Sequence, residues 1–308
     1  MRNAFADEVT QLAAQDPRIV LLSGDIGNRL FDRLRSQSPS QFINCGVAEA
    51  NMMGVAAGMA LSGLRPITYT ITPFTTTRCL EQIRVDVAYH EAPVIIVGTG
   101  SGLSYASLGP THHSLEDFAI LRAIPNIRIL APWDAPSLRH LLRQALRDPS
   151  PTYIRIGKKG EKDIAPIDRV GSIGSLSQLV AGKTVAIVAV GTVANEAVRA
   201  ANELNSFGIS PTLCLAHTVK PMPETDLERL FKSHRFIVTV EEHSLAAGFG
   251  ESCISLAQRV GFDGRILSLG TPDTFLSKVG SQGYARKISG IDSVAIVDGV
   301  QRLISSSR

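Results

Sequence analysis

The chain has 308 residues, 44% of them hydrophobic, with 26 glycines spread through its length. That composition forms a core, is long enough for two domains of ordinary size, and excludes a disordered or fibrous chain. Its 31 basic and 28 acidic residues nearly balance at a formal net charge of +3, so there is no electrostatic case for a nucleic-acid partner.

In chain order, residues 4–14 have the apolar spacing of a helix, and Ile19-Val20-Leu21-Leu22 reads as the first strand, ending in Ser23-Gly24-Asp25. Phe42-Ile43-Asn44 is a short strand leading into a helix that carries Glu49. Residues 67–72 are rich in β-branched side chains and predict a strand, and residues 76–90 predict a helix. Val94-Ile95-Ile96-Val97 is a continuous apolar run, as expected of a strand buried on both faces. Further strands are expected at residues 127–130 and 153–156, with helices at 115–122 and 137–146. The polar run Lys158-Lys159-Gly160-Glu161-Lys162-Asp163 and the Gly- and Ser-rich stretch to Gly182 read as an interdomain connection. A second unit opens with a strand over residues 184–191 and a helix over 194–207 closed by Gly208, followed by strands at 212–215, 236–240 and 265–269. This alternation predicts an α/β fold of two mostly parallel-sheet domains, 1–165 and 183–308, joined by a linker at 166–182.

Cys45, Cys79, Cys214 and Cys253 are widely spaced, form no CxxC pair, and read as reduced intracellular thiols. The first residues show no apolar signal region, and no apolar run is long enough to span a bilayer. A cytoplasmic chain without membrane contact is expected.

Glu49 is the only acid in the run from Cys45 to Leu61, among Ala, Gly, Met and Val. A carboxylate there is costly unless something requires it. In low dielectric it tends to keep a proton, and a protonated carboxyl can hydrogen-bond a ring nitrogen. The alternative is a first-turn glutamate favoured by the helix dipole. Gly109-Pro110-Thr111-His112-His113 places adjacent histidines in a loop, as proton carriers, oxyanion donors or merely exposed side chains. A metal site would need more ligands than this loop offers, and none is expected on this chain. Phe74, at a strand-to-helix turn, is either a stacking platform for a flat heterocycle or a core residue. Arg155, at a strand end, is a candidate for holding an anion or a member of a surface ion pair. Glu241-Glu242-His243 and Gly248-Phe249-Gly250-Glu251 read as capping and turn chemistry. There is no Walker loop, GxGxxG fingerprint or GxSxG elbow.

Taken in order, these segments resemble the transketolase family of thiamine-diphosphate enzymes over nearly the whole chain. They match only the family's C-terminal half, the pyrimidine-binding domain plus the C-terminal domain. Cys45-Gly46-Val47-Ala48-Glu49, Phe74 to Arg84, Gly109-Pro110-Thr111-His112, Arg122-Ala123-Ile124-Pro125-Asn126, Tyr153-Ile154-Arg155, His217-Thr218-Val219-Lys220-Pro221 and Val240-Glu241-Glu242-His243 carry the likeness. The resemblance implies that Glu49 hydrogen-bonds the cofactor's aminopyrimidine and promotes the tautomer that deprotonates its thiazolium carbon. The activated cofactor then moves a two-carbon ketol unit from a ketose to an aldose. It implies that Phe74 stacks on the pyrimidine, with Arg78, Asp25 and Ile26 as further cofactor contacts. His112 becomes a catalytic proton carrier near the substrate, with His113, Leu108 and Arg155 as substrate-side residues.

The family grips the diphosphate and its divalent metal, magnesium, through a GDG…N motif, and no GDG occurs here. The expectation is therefore one subunit of a split enzyme. An N-terminal partner would hold diphosphate and metal, and this chain would form a homodimer within an α2β2 heterotetramer. In isolation, weak or no cofactor binding is expected. Two departures bear on substrate. Leu108 stands where sugar-converting members carry an aspartate, and a second substrate histidine is replaced near Gly100. A site that loses polar partners for a hydroxyl discriminates strongly, so a modified, deoxy or nucleotide-linked sugar is expected. The rival readings are the β subunit of a 2-oxoacid dehydrogenase E1 component, half of a deoxyxylulose-phosphate synthase, and a non-catalytic partner subunit.

Overall fold

Six apolar segments, Ile19–Ser23 (β1), Phe42–Asn44 (β2), Arg65–Ile71 (β3), Ile95–Thr99 (β4), Arg128–Leu130 (β5) and Thr152–Ile156 (β6), pair in parallel into one sheet. The computed structural model describes residues 1–306. Every residue of β1, β4 and β6 is buried, because helices cover both faces of a parallel sheet. The pleat sends alternate side chains to opposite faces. Ile95 and Val97 pack with the Arg2–Gln15 and Ala135–Arg147 helices. Ile96 packs on the other side with Met52, Met53 and Ala56 of the Glu49–Leu61 helix.

Local sequence explains most of these elements. The Ala135–Arg147 helix starts at a reciprocal cap in which Asp134 accepts from the Ser137 amide at 2.9 Å and Ser137 Oγ accepts from the Asp134 amide. The helix expected over 76–90 begins earlier, at Thr72, and is irregular, with a 3₁₀ turn at Thr77–Cys79 and a π-type stretch at Ile83–Tyr89. Its threonines compete with the regular ladder: Thr76 Oγ1 donates to the Thr72 carbonyl and Thr77 Oγ1 to that of Pro73.

The second sheet is built from Leu176–Val180 (β7), Val185–Val190 (β8), Pro211–Ala216 (β9), Phe236–Ser244 (β11) and Arg265–Thr271 (β12), in the order β12-β11-β8-β9-β7. It is parallel except for β7, an antiparallel edge strand on β9. The stretch expected to be a linker thus contains a strand. Its Gly and Ser content suits the turns that flank Leu176–Val180, and the strand itself is short and only partly buried.

Thr218–Lys220 (β10) leaves the second unit and pairs antiparallel with β5, completing the first sheet in the order β10-β5-β6-β4-β3-β1-β2. One hydrophobic cluster then runs across both units, joining Phe118, Ile129 and Ala131 to Ala186, Val188 and Val190. Helices at Ala194–Ser206, Glu224–Ser233, Phe249–Arg259, Gln282–Ile288 and Ser293–Ser305 complete the second unit. Among the described residues no helix is long and apolar enough to cross a membrane.

Candidate active site

Glu49 is the first residue of its helix and is 2% exposed. The chain reaches it from β2 through a turn in which Gly46 has φ +68°, a conformation glycine adopts freely. The end of β1 abuts it: a Cβ on Gly24 would lie 3.1 Å from Thr70 and 3.4 Å from Cγ of Glu49. Glu49 also has a partner that burial alone does not reveal. Arg78 Nη1 donates to Glu49 Oε2 at 2.7 Å, and its guanidinium carbon lies 4.3 Å from the centroid of the Phe74 ring. Beside this pair, burial and then the Glu49 charge push the Cys79 thiol up to about 12, so it stands there as an unreactive thiol.

His112 meets the same group from another element. Its ring is 5.4 Å from Phe74 in an edge-on arrangement and 6.0 Å from Tyr105, and its Nδ1 pairs with Thr111 Oγ1 at 2.9 Å. Lys158 Nζ sits 4.6 Å from the centroid of Tyr105. Glu49, Arg78, Phe74, His112, Tyr105 and Lys158 therefore form a contiguous chain of side chains near the carboxyl ends of β3 and β6, where open α/β sheets bind ligands. Tyr105 and Lys158 are not singled out by sequence. Only their placement after strand ends hints at them.

Other expected site residues lie elsewhere. Asp25 is exposed at the end of β1 with φ 54°, and its Oδ1 accepts from Asn44 Nδ2 at 2.9 Å. With Ile26, Arg29, Arg35 and Phe42 it lines a cleft of about 1110 Å³ that Glu49, Phe74 and His112 do not line. Leu108 is half exposed on the same loop as His112. His113 points inward, 5% exposed, with Nε2 lacking a hydrogen-bond partner; burial holds its pKa below the usual histidine range. It does not share the face of His112.

Arg155 departs furthest from expectation. It is 4% exposed, donates to the carbonyls of Ser114 at 3.0 Å and Glu242 at 2.5 Å, lies 3.4 Å from Asp117 Oδ1 and stacks 4.3 Å over Phe118. Both terminal nitrogens are engaged inside the protein, so the guanidinium is not free to meet a substrate anion. Glu241 matches the capping reading, with its carboxylate accepting from the amides of Phe249 and Gly250, each at 2.8 Å.

The transketolase pyrimidine-binding domain family matches residues 1–160, just over half of the chain, and the transketolase C-terminal domain family matches residues 174–296. The chain belongs to the transketolase family. The contiguous group from Glu49 to Lys158 falls wholly within the pyrimidine-binding match. Among transketolase relatives, a subunit of the apulose-4-phosphate transketolase of Phocaeicola vulgatus is 34% identical over 251 residues, covering 81% of this chain and 80% of the relative. A 6-deoxy-6-sulfo-D-fructose transketolase subunit, SqwH, of Clostridium sp. strain MSTE9 is 34% identical over 289 residues, covering 91% and 90%. A solved structure described as a split gene transketolase, inactive beta4 tetramer, superposes with a TM-score of 0.89 at 28% identity, covering all of this chain and 98% of that one.

Proposed function

We propose that this chain is the pyrimidine-binding and C-terminal subunit of a split transketolase. The reaction is transfer of a two-carbon ketol unit from a ketose donor to an aldose acceptor. The observation that carries this reading is the arrangement of Arg78 between Glu49 and Phe74. A flat guanidinium that donates to the carboxylate while lying on the aromatic face indicates a seat for a planar hydrogen-bonding group. The aminopyrimidine of thiamine diphosphate is such a group, so the residues fit it. When bound, that cofactor supplies the electron sink that stabilises a carbanion on the carried two-carbon unit.

The roles of the chain's own residues follow from position. Glu49 holds a hydrogen bond, and the proton within it, at the pyrimidine ring nitrogen. Phe74 orients the ring by stacking. His112, edge-on to Phe74, carries protons at the reacting oxygens of the sugar. Asp25 and Ile26 follow Gly24, which abuts Glu49, and they approach the cofactor from the separate cleft at the end of β1. Lys158, rather than the internally engaged Arg155, meets an anionic group on the substrate. Leu108 presents an apolar side chain in the same loop, which supports a sugar lacking or altering a hydroxyl there. The names of the two relatives, with apulose 4-phosphate and a sulfo-deoxy fructose, support a modified sugar bearing an anionic tail.

The partner is a second subunit that grips the diphosphate and its magnesium ion, with a dimer of this chain at the centre of an α2β2 assembly. The two relatives designated as subunits, and the split-gene structure, support this organisation. The test is reconstitution with the partner subunit and assay over a panel of phosphorylated, deoxy and sulfonated sugars. Turnover should require thiamine diphosphate, magnesium and both subunits. Glu49→Ala should reduce it by about 10²–10⁴-fold, the range for losing a positioned proton-transfer group. Unchanged turnover in that variant would defeat the mechanism.

A further inference from the structure

The loop over residues 102–114 carries Leu108 and His112 and is closed at its base, where the Ser114 amide donates to the Gly102 carbonyl at 3.0 Å. Both feet of this loop are held by three consecutive residues of β11, a strand of the second sheet. Glu242 Oε2 accepts from the Leu103 amide at 3.1 Å, and the Glu242 carbonyl is bridged through Arg155 to that of Ser114. His243 Nε2 accepts from the Ala119 amide at 3.2 Å while its ring stacks 5.2 Å from Phe118. The Ser244 amide donates to the Leu115 carbonyl at 2.8 Å. Gln282 adds a second brace, with Nε2 donating to Ser104 Oγ at 3.3 Å and to Glu242 Oε1 at 3.0 Å.

The fit leaves no slack. Gly102 has φ +54°, and a Cβ there would collide with the Glu242 side chain and lie 2.7 Å from Arg155 Nη2. The Glu242 carboxylate is 2% exposed and also pairs with Arg286 and accepts from Thr192 Oγ1. Removing one partner of such a buried network is strongly destabilising, so the network fixes the Glu242 carboxylate beneath the Leu103 amide.

We infer that Glu242 and Gln282 are positioning residues for the transfer reaction. From β11 and from the start of the Gln282–Ile288 helix they set the height and orientation of the loop, and so the place of His112 relative to Phe74. This rests on the role of His112 proposed above. The contribution of the C-terminal domain to the reaction is this bracing, delivered at the base of the loop, to the Leu103 amide and the Ser104 hydroxyl.

Gln282→Ala is the informative variant, because Gln282 is only partly buried and its loss leaves the Glu242–Arg286 pair intact. In the reconstituted enzyme it should lower kcat about tenfold with little change in KM, as misplacement of a reacting group does. Combined with His112→Ala it should cost nothing further, since residues acting through one group are not additive. An equal tenfold loss in the His112→Ala background would overturn the inference. Amide exchange in this chain alone supplies a readout that needs no partner. Gln282→Ala should speed exchange at Leu103, His112 and Ser114, and unchanged protection there would also overturn it. Absence of thiamine-diphosphate-dependent turnover by the wild-type pair would refute the functional reading while the exchange measurement still decides the brace.

Discussion

Glu49 shows how a single residue is read differently with and without its neighbours. An acid in an apolar helix predicts a buried carboxyl, and it is buried. Sequence does not show that Arg78, 29 positions later, donates to it. On the proposed reading, a ring entering between Glu49 and Phe74 displaces the guanidinium that now lies there. Arg78 is nearly half exposed, so the displaced contacts are worth only about 1 kcal/mol. Arg78→Ala should therefore tighten thiamine-diphosphate binding by the reconstituted enzyme about fivefold. A weaker affinity in that variant, measured by titration calorimetry, would make Arg78 a direct cofactor contact instead. Arg155 gives the opposite lesson. Its place at a strand end predicts an anion site, but Asp117, Ser114 and Glu242 turn it inward. All three partners come from outside its own strand.

At the level of elements, most strands are legible because a buried parallel strand is a short continuous apolar run, as in Ile95–Thr99 and Val185–Val190. The helices at Glu224–Ser233, Phe249–Arg259, Gln282–Ile288 and Ser293–Ser305 fall outside the expected elements, although the Leu227, Leu230 and Phe231 spacing is helical. Strand β10 is illegible for a better reason: three residues have no periodicity, and its partner is β5 of the other unit. At its start, His217 tilts against Trp133 at 5.6 Å, its Nδ1 pairs with Thr218 Oγ1, and its Nε2 has no partner. Burial, with a smaller contribution from His140, lowers its pKa from 6.5 to about 4. The unfolded chain then binds the proton first, so stability is complete above about pH 6.5 and falls as pH drops toward 4. The loss over that window amounts to about 3 kcal/mol from this residue. His113 and His140, both lowered by burial, add in the same direction. Urea midpoints should drop steeply between pH 7 and 5, and His217→Gln should flatten the slope. An unaltered slope would show that His217 does not govern it.

For the whole molecule, the outer face of the Glu49–Leu61 helix bears on the proposed dimer. Val55 is 39% and Leu61 61% exposed, and a Cβ on Gly58 would meet nothing within 4 Å among the described residues. Small and apolar residues left unpacked on a helix invite a second surface. The chain alone is expected to self-associate through this face, and Val55→Arg should shift its sedimentation toward smaller species. Calorimetry on the unmixed chain should find little or no thiamine-diphosphate binding until the partner subunit and magnesium are added. Tight, metal-dependent binding by this chain alone would place the diphosphate grip within it.

By itself the sequence determined the class of fold, the two units and the identity of the acid most worth watching, because apolar runs and an isolated carboxylate are local properties. The family resemblance was legible for the same reason, as short motifs in a fixed order. Only the tertiary structure decided that Arg155 and His113 face inward, that Arg78 lies between Glu49 and Phe74, and that β11 of the second sheet carries the feet of the His112 loop. Those outcomes depend on pairings across 29 to 139 positions of chain. Which partner satisfies a buried charge or an amide is set by packing, and no local pattern records it.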